Sequence, residues 1–154
     1  MSLKTKIQIE AIRRLEKKLQ VSYDNGKDCI YLTVDGKSAV KIPDDSFFLD
    51  KSKLHKSGAI VNSFNITPNE LYKLTDTYYR RPYSKGVAVC FENELSQSET
   101  DVVYCDEKTL KKLSVEGAKI FTNKSMTRIY LELIGEIYAV ILPLNFCEPK
   151  ENEC

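Results

Sequence analysis

One hairpin pattern occurs twice in this chain of 154 residues, at a single fixed offset. Each copy begins with an Ile-Tyr-Leu strand, turns at a glycine and returns through a second apolar strand. A repeat of this kind typically indicates a duplicated fold element whose copies pack together, although unrelated hairpins also share strand-forming residues. The matching pairs are Ile30 and Ile129, Tyr31 and Tyr130, Leu32 and Leu131, Gly36 and Gly135, Ile42 and Ile141, and Phe47 and Phe146.

The second copy lies at the end of a strand-helix-strand-strand-strand pattern. A strand is predicted at 102–105, followed by a short helix that Asp106 caps. Three more strands are predicted at 118–121, 127–133 and 137–142, because apolar and β-branched residues recur there at strand spacing. The C-terminal third of the chain therefore reads as a β-α-β-β-β unit.

The N-terminal residues fit a similar pattern. Residues 7–9 alternate as a strand does, or they extend the helix that follows, whose apolar spacing continues to Gln20. Three strands come next, with turns at Asn25-Gly26 and Asp35-Gly36, since both central positions of a tight hairpin turn need a positive φ. We therefore predict an α+β fold of antiparallel sheets with two or three helices, and the repeat suggests duplicated β-α-β-β-β units.

The middle of the chain contains one strong signal for the start of a helix. Residues 67–70 (Thr-Pro-Asn-Glu) have the spacing of a capping box with proline in the first turn. This pattern predicts a helix that ends at 80–82, with Leu71, Leu74 and Tyr78 on its buried face. Around it we predict strands at 59–64 and 87–91 and a hairpin loop at 93–100.

Length and composition indicate how the chain is organised. We predict one domain over 1–148, or two closely packed halves at 1–58 and 59–148, followed by a flexible tail at 149–154. No apolar run approaches the roughly 20 residues that span a bilayer, so we predict no membrane contact. The first residues lack an apolar signal core, which predicts a cytoplasmic location.

The cysteines suggest neither a disulfide framework nor a zinc site. They number five and lack any Cys-x-x-Cys spacing. Three of them lie in apolar runs, where a free cysteine behaves as a small hydrophobic residue. We predict that Cys29, Cys90 and Cys105 are buried, and we make no prediction of burial for Cys147 and Cys154.

The net charge of +1 conceals an asymmetry along the chain. Residues 1–86 contain 16 Lys and Arg against 10 Asp and Glu, whereas residues 87–154 contain 7 against 12. Surfaces of opposite sign favour contact between copies or approach to a polyanion. The other interpretation is that folding interleaves the charges and leaves no patch.

Residues suited to catalysis are scarce. The single histidine, His55, lies in a polar basic run, and Cys90, a conceivable nucleophile to pair with it, is predicted to be buried. Phosphate-cradling glycine loops and a Gly-x-Ser-x-Gly elbow are absent from the sequence. We therefore predict a protein that is not an enzyme and that has no cofactor and no metal site.

The densest group of binding-type residues follows Tyr78. Tyrosine and arginine are enriched in protein-binding hot spots, and both also stack on or pair with nucleic acids. The alternative is structural, because cations favour the C-terminus of a helix and proline stops one. The predicted partner-binding or nucleic-acid-binding residues are Tyr79, Arg80, Arg81, Tyr83 and Lys85.

Residues 101–146 resemble the last β-α-β-β-β unit of bacterial DNA sliding clamps. The resemblance rests on Val-Val-Tyr-Cys-Asp-Glu-Lys-Thr-Leu at 102–110 and on Tyr-Ala-Val-Ile-Leu-Pro-Leu at 138–144. It implies a ring that lines DNA with helices and a pocket for a partner peptide beside the final strand. Leu142, Pro143 and Leu144 match the Met-Pro-Met positions of that family, and Asn145 stands where the family has arginine.

Two helices carry lysines and arginines opposite their apolar residues, which suits contact with phosphates and equally suits plain solvation. Taken together, the sequence predicts a non-catalytic module that binds a protein partner or its own copies. A clamp-like, nucleic-acid-associated protein is the first alternative, and a small enzyme is the second. The candidate phosphate-facing residues are Arg13, Arg14, Lys17, Lys18, Lys108, Lys111 and Lys112.

Overall fold

A computed structural model of the chain describes residues 1–94 and 102–146. Most of the predicted loop at 93–100, the predicted tail at 149–154, and Cys147 and Cys154 lie outside these residues. Within the described residues, the chain forms three α-helices, ten β-strands and three short 3-10 turns. The helices are α1 (Leu3–Glu16), α2 (Ile60–Ser63) and α3 (Glu107–Leu113), and the strands are β1 (Ser22–Asn25), β2 (Cys29–Thr33), β3 (Ser38–Pro43), β4 (His55–Lys56), β5 (Tyr72–Tyr83), β6 (Gly86–Asn93), β7 (Val102–Asp106), β8 (Lys119–Thr122), β9 (Ile129–Leu133) and β10 (Glu136–Ile141).

The strands join into one sheet in the order β4-β1-β2-β3-β10-β9-β8-β5-β6-β7. Every neighbouring pair is antiparallel except β1 and β4. Just after β10, the Leu144 N–H donates to the Tyr104 carbonyl on β7 at 2.8 Å. Because β7 is the last strand of the order, this bond requires the sheet to curl until β7 meets the end of β10. The predicted α+β fold is confirmed.

The two repeated hairpins, β2-β3 and β9-β10, share a register at the ends away from their turns, and β9-β10 then shifts register at a bulge between Ile137 and Ala139 that β2-β3 lacks. Ile30 faces Ile42 in the first, and the matching Ile129 faces Ile141 in the second. The glycines of the two turns have φ values of 74° and 75°. The first copy, however, lacks the leading strand, so a complete duplication of β-α-β-β-β units is not confirmed.

A single apolar core connects the sheet with α1 and α3. Helix α3 follows β7, and its Lys112 Nζ lies 3.3 Å from a Glu10 carboxylate oxygen on α1, so the two helices are neighbours. As predicted, Cys29, Cys90 and Cys105 are buried. The buried core residues include Ile7, Ala11, Leu32, Ile42, Leu74, Val89, Phe91, Val103, Leu113, Ile129, Leu131 and Ile141.

The predicted strand at 7–9 is wrong. These residues lie inside helix α1, which was the alternative interpretation. Ser2 caps α1 by accepting the Thr5 N–H. The misleading alternation came from Gln8, a polar residue that is fully buried. Its side chain donates to the Ser46 carbonyl and accepts the Phe48 N–H, so the burial costs no unpaired polar group. Helix α1 also ends at Glu16, before the predicted Gln20.

The predicted strand at 59–64 is also wrong, since these residues contain the single turn of α2. The Val61 N–H donates to a carboxylate oxygen of Asp24 at 3.0 Å. Asp24 is buried on β1, and a carboxylate at the start of a helical turn stabilises it. This long-range partner favours a helical turn over a strand and is not visible in the local sequence.

The predicted helix at 67–82 is wrong beyond its first turn. The capping box at Thr67 and Glu70 does form, but it starts only the 3-10 turn Pro68–Glu70. The chain then enters β5, which pairs with β6 along most of its length. Threonine and tyrosine, which favour strands, dominate this segment, and the pairing outweighs the helix-start signal.

In the described part of the chain, no helix combines the length and the apolar character that crossing a bilayer requires.

Candidate functional site

Strand β5 contains a bulge that points two tyrosines at solvent. Asp76 pairs with Phe91 on β6, and the next paired residue, Arg80, faces Val89. The intervening residues Thr77, Tyr78 and Tyr79, which we call the β5 bulge, therefore stand opposite Cys90 alone. Bulges of this kind reorient side chains and often lie beside functional sites.

Tyr78 adopts a backbone conformation that is unusual for an aromatic residue. Its φ is 65°, in the left-handed region, which costs a residue with a Cβ roughly 1–2 kcal/mol. The ring gains little burial in return, since Tyr78 is 85% exposed and Tyr79 is 55% exposed. Strain of this kind is typical of binding and active sites, where the surrounding structure holds the residue in place.

Hydrogen bonds on both sides hold the bulge in shape. A carboxylate oxygen of Asp76 accepts the Tyr78 N–H at 2.7 Å. The Thr77 hydroxyl accepts the Tyr79 N–H at 3.2 Å and donates to the Cys90 carbonyl at 2.9 Å. The conformation is thus fixed before any partner arrives, which lowers the entropy cost of binding.

Arg80 is neutralised within the protein. Its guanidinium forms a bidentate pair with Asp76, with both N···O distances 3.0 Å, and its Nε lies 3.3 Å from a Glu107 oxygen at the start of α3. The hydrogen bond from Arg80 holds the pKa of Asp76 below its usual value, and the same bond raises the pKa of Arg80. Arg80, predicted as a binding residue, therefore braces the bulge.

The pKa shift of Asp76 predicts how the fold responds to acid. Because the folded-state pKa is lowered, the stabilisation is present above the unfolded pKa, near 4, and is lost as pH falls through the folded value. Asp76→Asn should lower the free energy of unfolding at neutral pH. The difference in this free energy between the variant and the wild type should shrink below about pH 4. Urea unfolding of both proteins across this range measures the difference. Parallel pH profiles would show that the Asp76 carboxylate contributes nothing as an anion.

Arg81 and Tyr83 are occupied by contacts inside the chain. The Arg81 guanidinium carbon lies 4.1 Å from the centre of the Phe146 ring, a cation–π distance. The Phe146 ring is in edge contact with Tyr83 and Tyr104, with centroids 5.8 and 5.0 Å apart. The Tyr83 hydroxyl also donates to Asp106, the N-cap of α3. These residues fasten the segment after β10 to β5 and β7.

Lys85 and the predicted clamp-type pocket meet at a second site. Leu142 and Leu144 lie beside Lys85 in a cavity of about 350 Å³ that reaches to α1. Leu142 lies just beyond β10 and is exposed, and Pro143 is half-buried. We call this cavity the basic cleft, and its lining includes Arg14, Lys37, Tyr83, Lys85, Leu142 and Leu144.

The other predicted phosphate-facing residues lie along α1, α3 and the residues that follow α1. Lys111 pairs with Glu107 at 3.6 Å and Lys112 pairs with Glu10. Arg14 is half-buried in the basic cleft. The remaining four are exposed, namely Arg13, Lys17, Lys18 and Lys108.

The structure does not bring the two candidate catalytic residues together. His55 is exposed on β4, at one end of the sheet order, whereas Cys90 is buried on β6, near the other end. Within residues 1–94 and 102–146, no group of three or more His, Cys, Asp or Glu side chains is arranged to hold a metal ion.

Sequence reasoning missed the residues that shape the bulge. Asp76 and Glu107 were not singled out, and Tyr78 was placed on a buried helical face. The threonines and tyrosines before Arg80 favour a strand, and this signal could have placed Tyr78 on β5 instead of on a helix. No local pattern pairs Glu107 with Arg80, because 27 positions separate them in the chain.

Comparison with known proteins finds no relative. No family model matches the chain, and no curated protein or solved structure is significantly similar to it. The resemblance of residues 101–146 to sliding clamps therefore stays a prediction.

Proposed function

We propose that this protein is a non-catalytic binding module that docks a protein partner on the β5 bulge. One observation carries the proposal: Tyr78 and Tyr79 are held on a strained and braced backbone with 85% and 55% of their surfaces exposed to solvent. Exposed tyrosines on a rigid support are typical centres of protein interfaces. They bring large contact area at a small cost in side-chain entropy.

The charges around the bulge indicate what kind of surface it recognises. Arg80 is balanced by Asp76 and Glu107, so the tyrosines are flanked by a compensated network rather than by a free cation. A partner should therefore offer an apolar recess for the two rings, with hydrogen-bond acceptors for their hydroxyls. Binding through such a surface should depend only weakly on salt.

The experiment begins with affinity capture of partners from the native cell at physiological salt, followed by purification of the captured protein. We expect Tyr79→Ala to raise its dissociation constant at least tenfold, as truncation of a central aromatic residue does. Isothermal titration calorimetry measures the change. Sedimentation velocity on the protein alone shows whether the partner is a second copy of this chain.

The chain supplies a matched control in Phe48, an aromatic residue away from β5. Phe48 is 53% exposed, close to the 55% of Tyr79. Phe48→Ala should leave the dissociation constant unchanged. Equal losses for the two variants would contradict docking on the bulge, and so would a capture experiment that recovers the same proteins with Tyr79→Ala as with the wild type.

A second candidate function is contact with nucleic acid. It is favoured by the neighbouring positions of α1 and α3, which are joined by the Glu10–Lys112 pair and carry the exposed cations Arg13 and Lys108. Phosphate contacts of this kind give an affinity that falls steeply as salt rises. Fluorescence anisotropy with duplex DNA at low and physiological salt tests it, and no binding at low salt would reject it.

A further inference from the structure

The basic cleft collects three cations from distant parts of the chain. Arg14 comes from the last turn of α1, Lys37 from the turn between β2 and β3, and Lys85 from the turn between β5 and β6. In the described part of the chain, none of the three side chains lies within 4.0 Å of a carboxylate oxygen, although other lysines do form such pairs. The cleft therefore carries positive charge that the fold does not neutralise by direct pairing.

Arg14 also has an unpaired donor beside the cleft. Its Nε is buried and has no hydrogen-bond acceptor among the described residues. A buried donor without an acceptor costs roughly 1–3 kcal/mol. Such groups are rare in folded proteins, and a bound water or ion is one way in which they are satisfied.

Two carboxylates also line the cleft, and both are engaged. Asp106 accepts hydrogen bonds from the Tyr83 hydroxyl and from the N–H and hydroxyl of Thr109. Asp35 accepts the backbone N–H groups of Lys37 and of the residue after it, at 2.8 and 3.1 Å. Both carboxylates keep their negative charge, so the lining of the cleft holds three cations against two anions.

Burial raises the pKa of Asp106, but the hydrogen bonds from Tyr83 and Thr109, together with the charge of Lys37, outweigh it and leave the pKa below its usual value. Asp106 is therefore ionised at neutral pH, and the lysine lies close enough to influence it.

Part of the cleft wall is apolar. Ile141, Leu142 and Leu144 lie along it, and Leu142 is exposed. Pockets of roughly 300–1,000 Å³ with apolar walls and a few convergent polar groups are typical of small-molecule sites. The volume of about 350 Å³ falls at the lower end of that range.

We propose that the basic cleft binds a small molecule that carries a phosphate group and an apolar portion. The phosphate contacts the guanidinium group of Arg14 and the ammonium groups of Lys37 and Lys85. Guanidinium and ammonium groups are the usual partners of phosphate. The apolar portion lies on Leu142 and Leu144. The site is separate from the β5 bulge and does not depend on the proposed protein partner.

Titration of the full chain with inorganic phosphate and with phenyl phosphate tests the proposal. Isothermal titration calorimetry measures the affinity, and amide chemical shifts locate the binding site. Phenyl phosphate should bind more tightly than inorganic phosphate because of the leucines. Lys37→Gln and Lys85→Gln should each weaken phenyl phosphate about tenfold, the loss expected for one charge-assisted hydrogen bond. Lys56→Gln, an exposed lysine on β4, should bind as the wild type does.

Several results would overturn the proposal. One is no binding of either phosphate, and another is equal affinity for phenyl phosphate in Lys37→Gln, Lys85→Gln and Lys56→Gln. Binding of a single-stranded oligonucleotide without binding of phenyl phosphate would assign the cations to nucleic acid instead. Tyr79→Ala should bind phenyl phosphate normally, so failure of this site and failure of the docking surface can be told apart.

Discussion

Replacing Tyr78 with asparagine should stabilise the folded protein by about 1 kcal/mol and weaken partner binding at least tenfold. Asparagine tolerates the left-handed backbone better than an aromatic residue does, and Tyr78 has little burial to lose because it is 85% exposed. Its N–H continues to donate to Asp76, so the bulge keeps its shape. Urea unfolding measures the stability and calorimetry measures the affinity.

A second exposed residue provides the matched control. Ile134 in the β9-β10 turn has a φ of 51° and is 95% exposed. It precedes a glycine in a turn where both central residues have positive φ, and Asn-Gly is the preferred pair in such turns. Ile134→Asn should therefore stabilise the fold to a similar degree without changing the affinity for the partner. If Tyr78→Asn also left the affinity unchanged, the Tyr78 ring would have no role in binding and docking on the β5 bulge would be contradicted.

Replacing Leu113 with alanine should cost about 2–5 kcal/mol of folding stability, the range for a buried leucine. Leu113 is fully buried at the end of α3, and its carbonyl accepts the Tyr138 hydroxyl at 2.7 Å. It fastens α3 to the sheet, and α3 in turn carries Glu107, which contacts Arg80. The free energy of unfolding from urea titration measures the effect.

The control for this variant is a leucine that is similar in type but exposed. Leu19 lies after α1 and outside the core, so Leu19→Ala should change stability by no more than roughly 0.5 kcal/mol. A loss of less than about 1 kcal/mol in Leu113→Ala would mean that α3 is not anchored as described.

The strands were predictable from sequence wherever the signal was local. The hairpin β2-β3 has a glycine turn and alternating apolar residues, and it forms as predicted, as does the hairpin β9-β10. Helix α3 was predictable from its cap at Asp106 and its apolar spacing. In each of these cases, turn chemistry, periodicity and strand propensity point to the same structure.

The errors occurred where a distant partner decided the outcome. Gln8 is buried because Ser46 and Phe48 satisfy its amide, and Asp24 reaches Val61 across 37 positions. The capping box at Thr67 formed, but a cap fixes where a helical turn starts and not how far it continues. The pairing of β5 with β6 makes the residues after this turn a strand.

The candidate sites were predictable only in part. The cluster from Tyr79 to Lys85 was identified, but the structure gives its members different surroundings. Tyr79 faces solvent, Arg80 braces the bulge, Arg81 packs on Phe146, and Lys85 belongs to the basic cleft. A sequence shows which residues are close along the chain, whereas the bulge and the curl of the sheet decide which face each side chain reaches.

The most direct test of docking on the β5 bulge is an amide chemical-shift map of this protein with its captured partner. We predict that the largest shifts occur at Thr77, Tyr78, Tyr79 and Arg80 and at Cys90 across the strand pair. Shifts confined to the basic cleft or to the exposed faces of α1 and α3, with the bulge unperturbed, would contradict the proposed function.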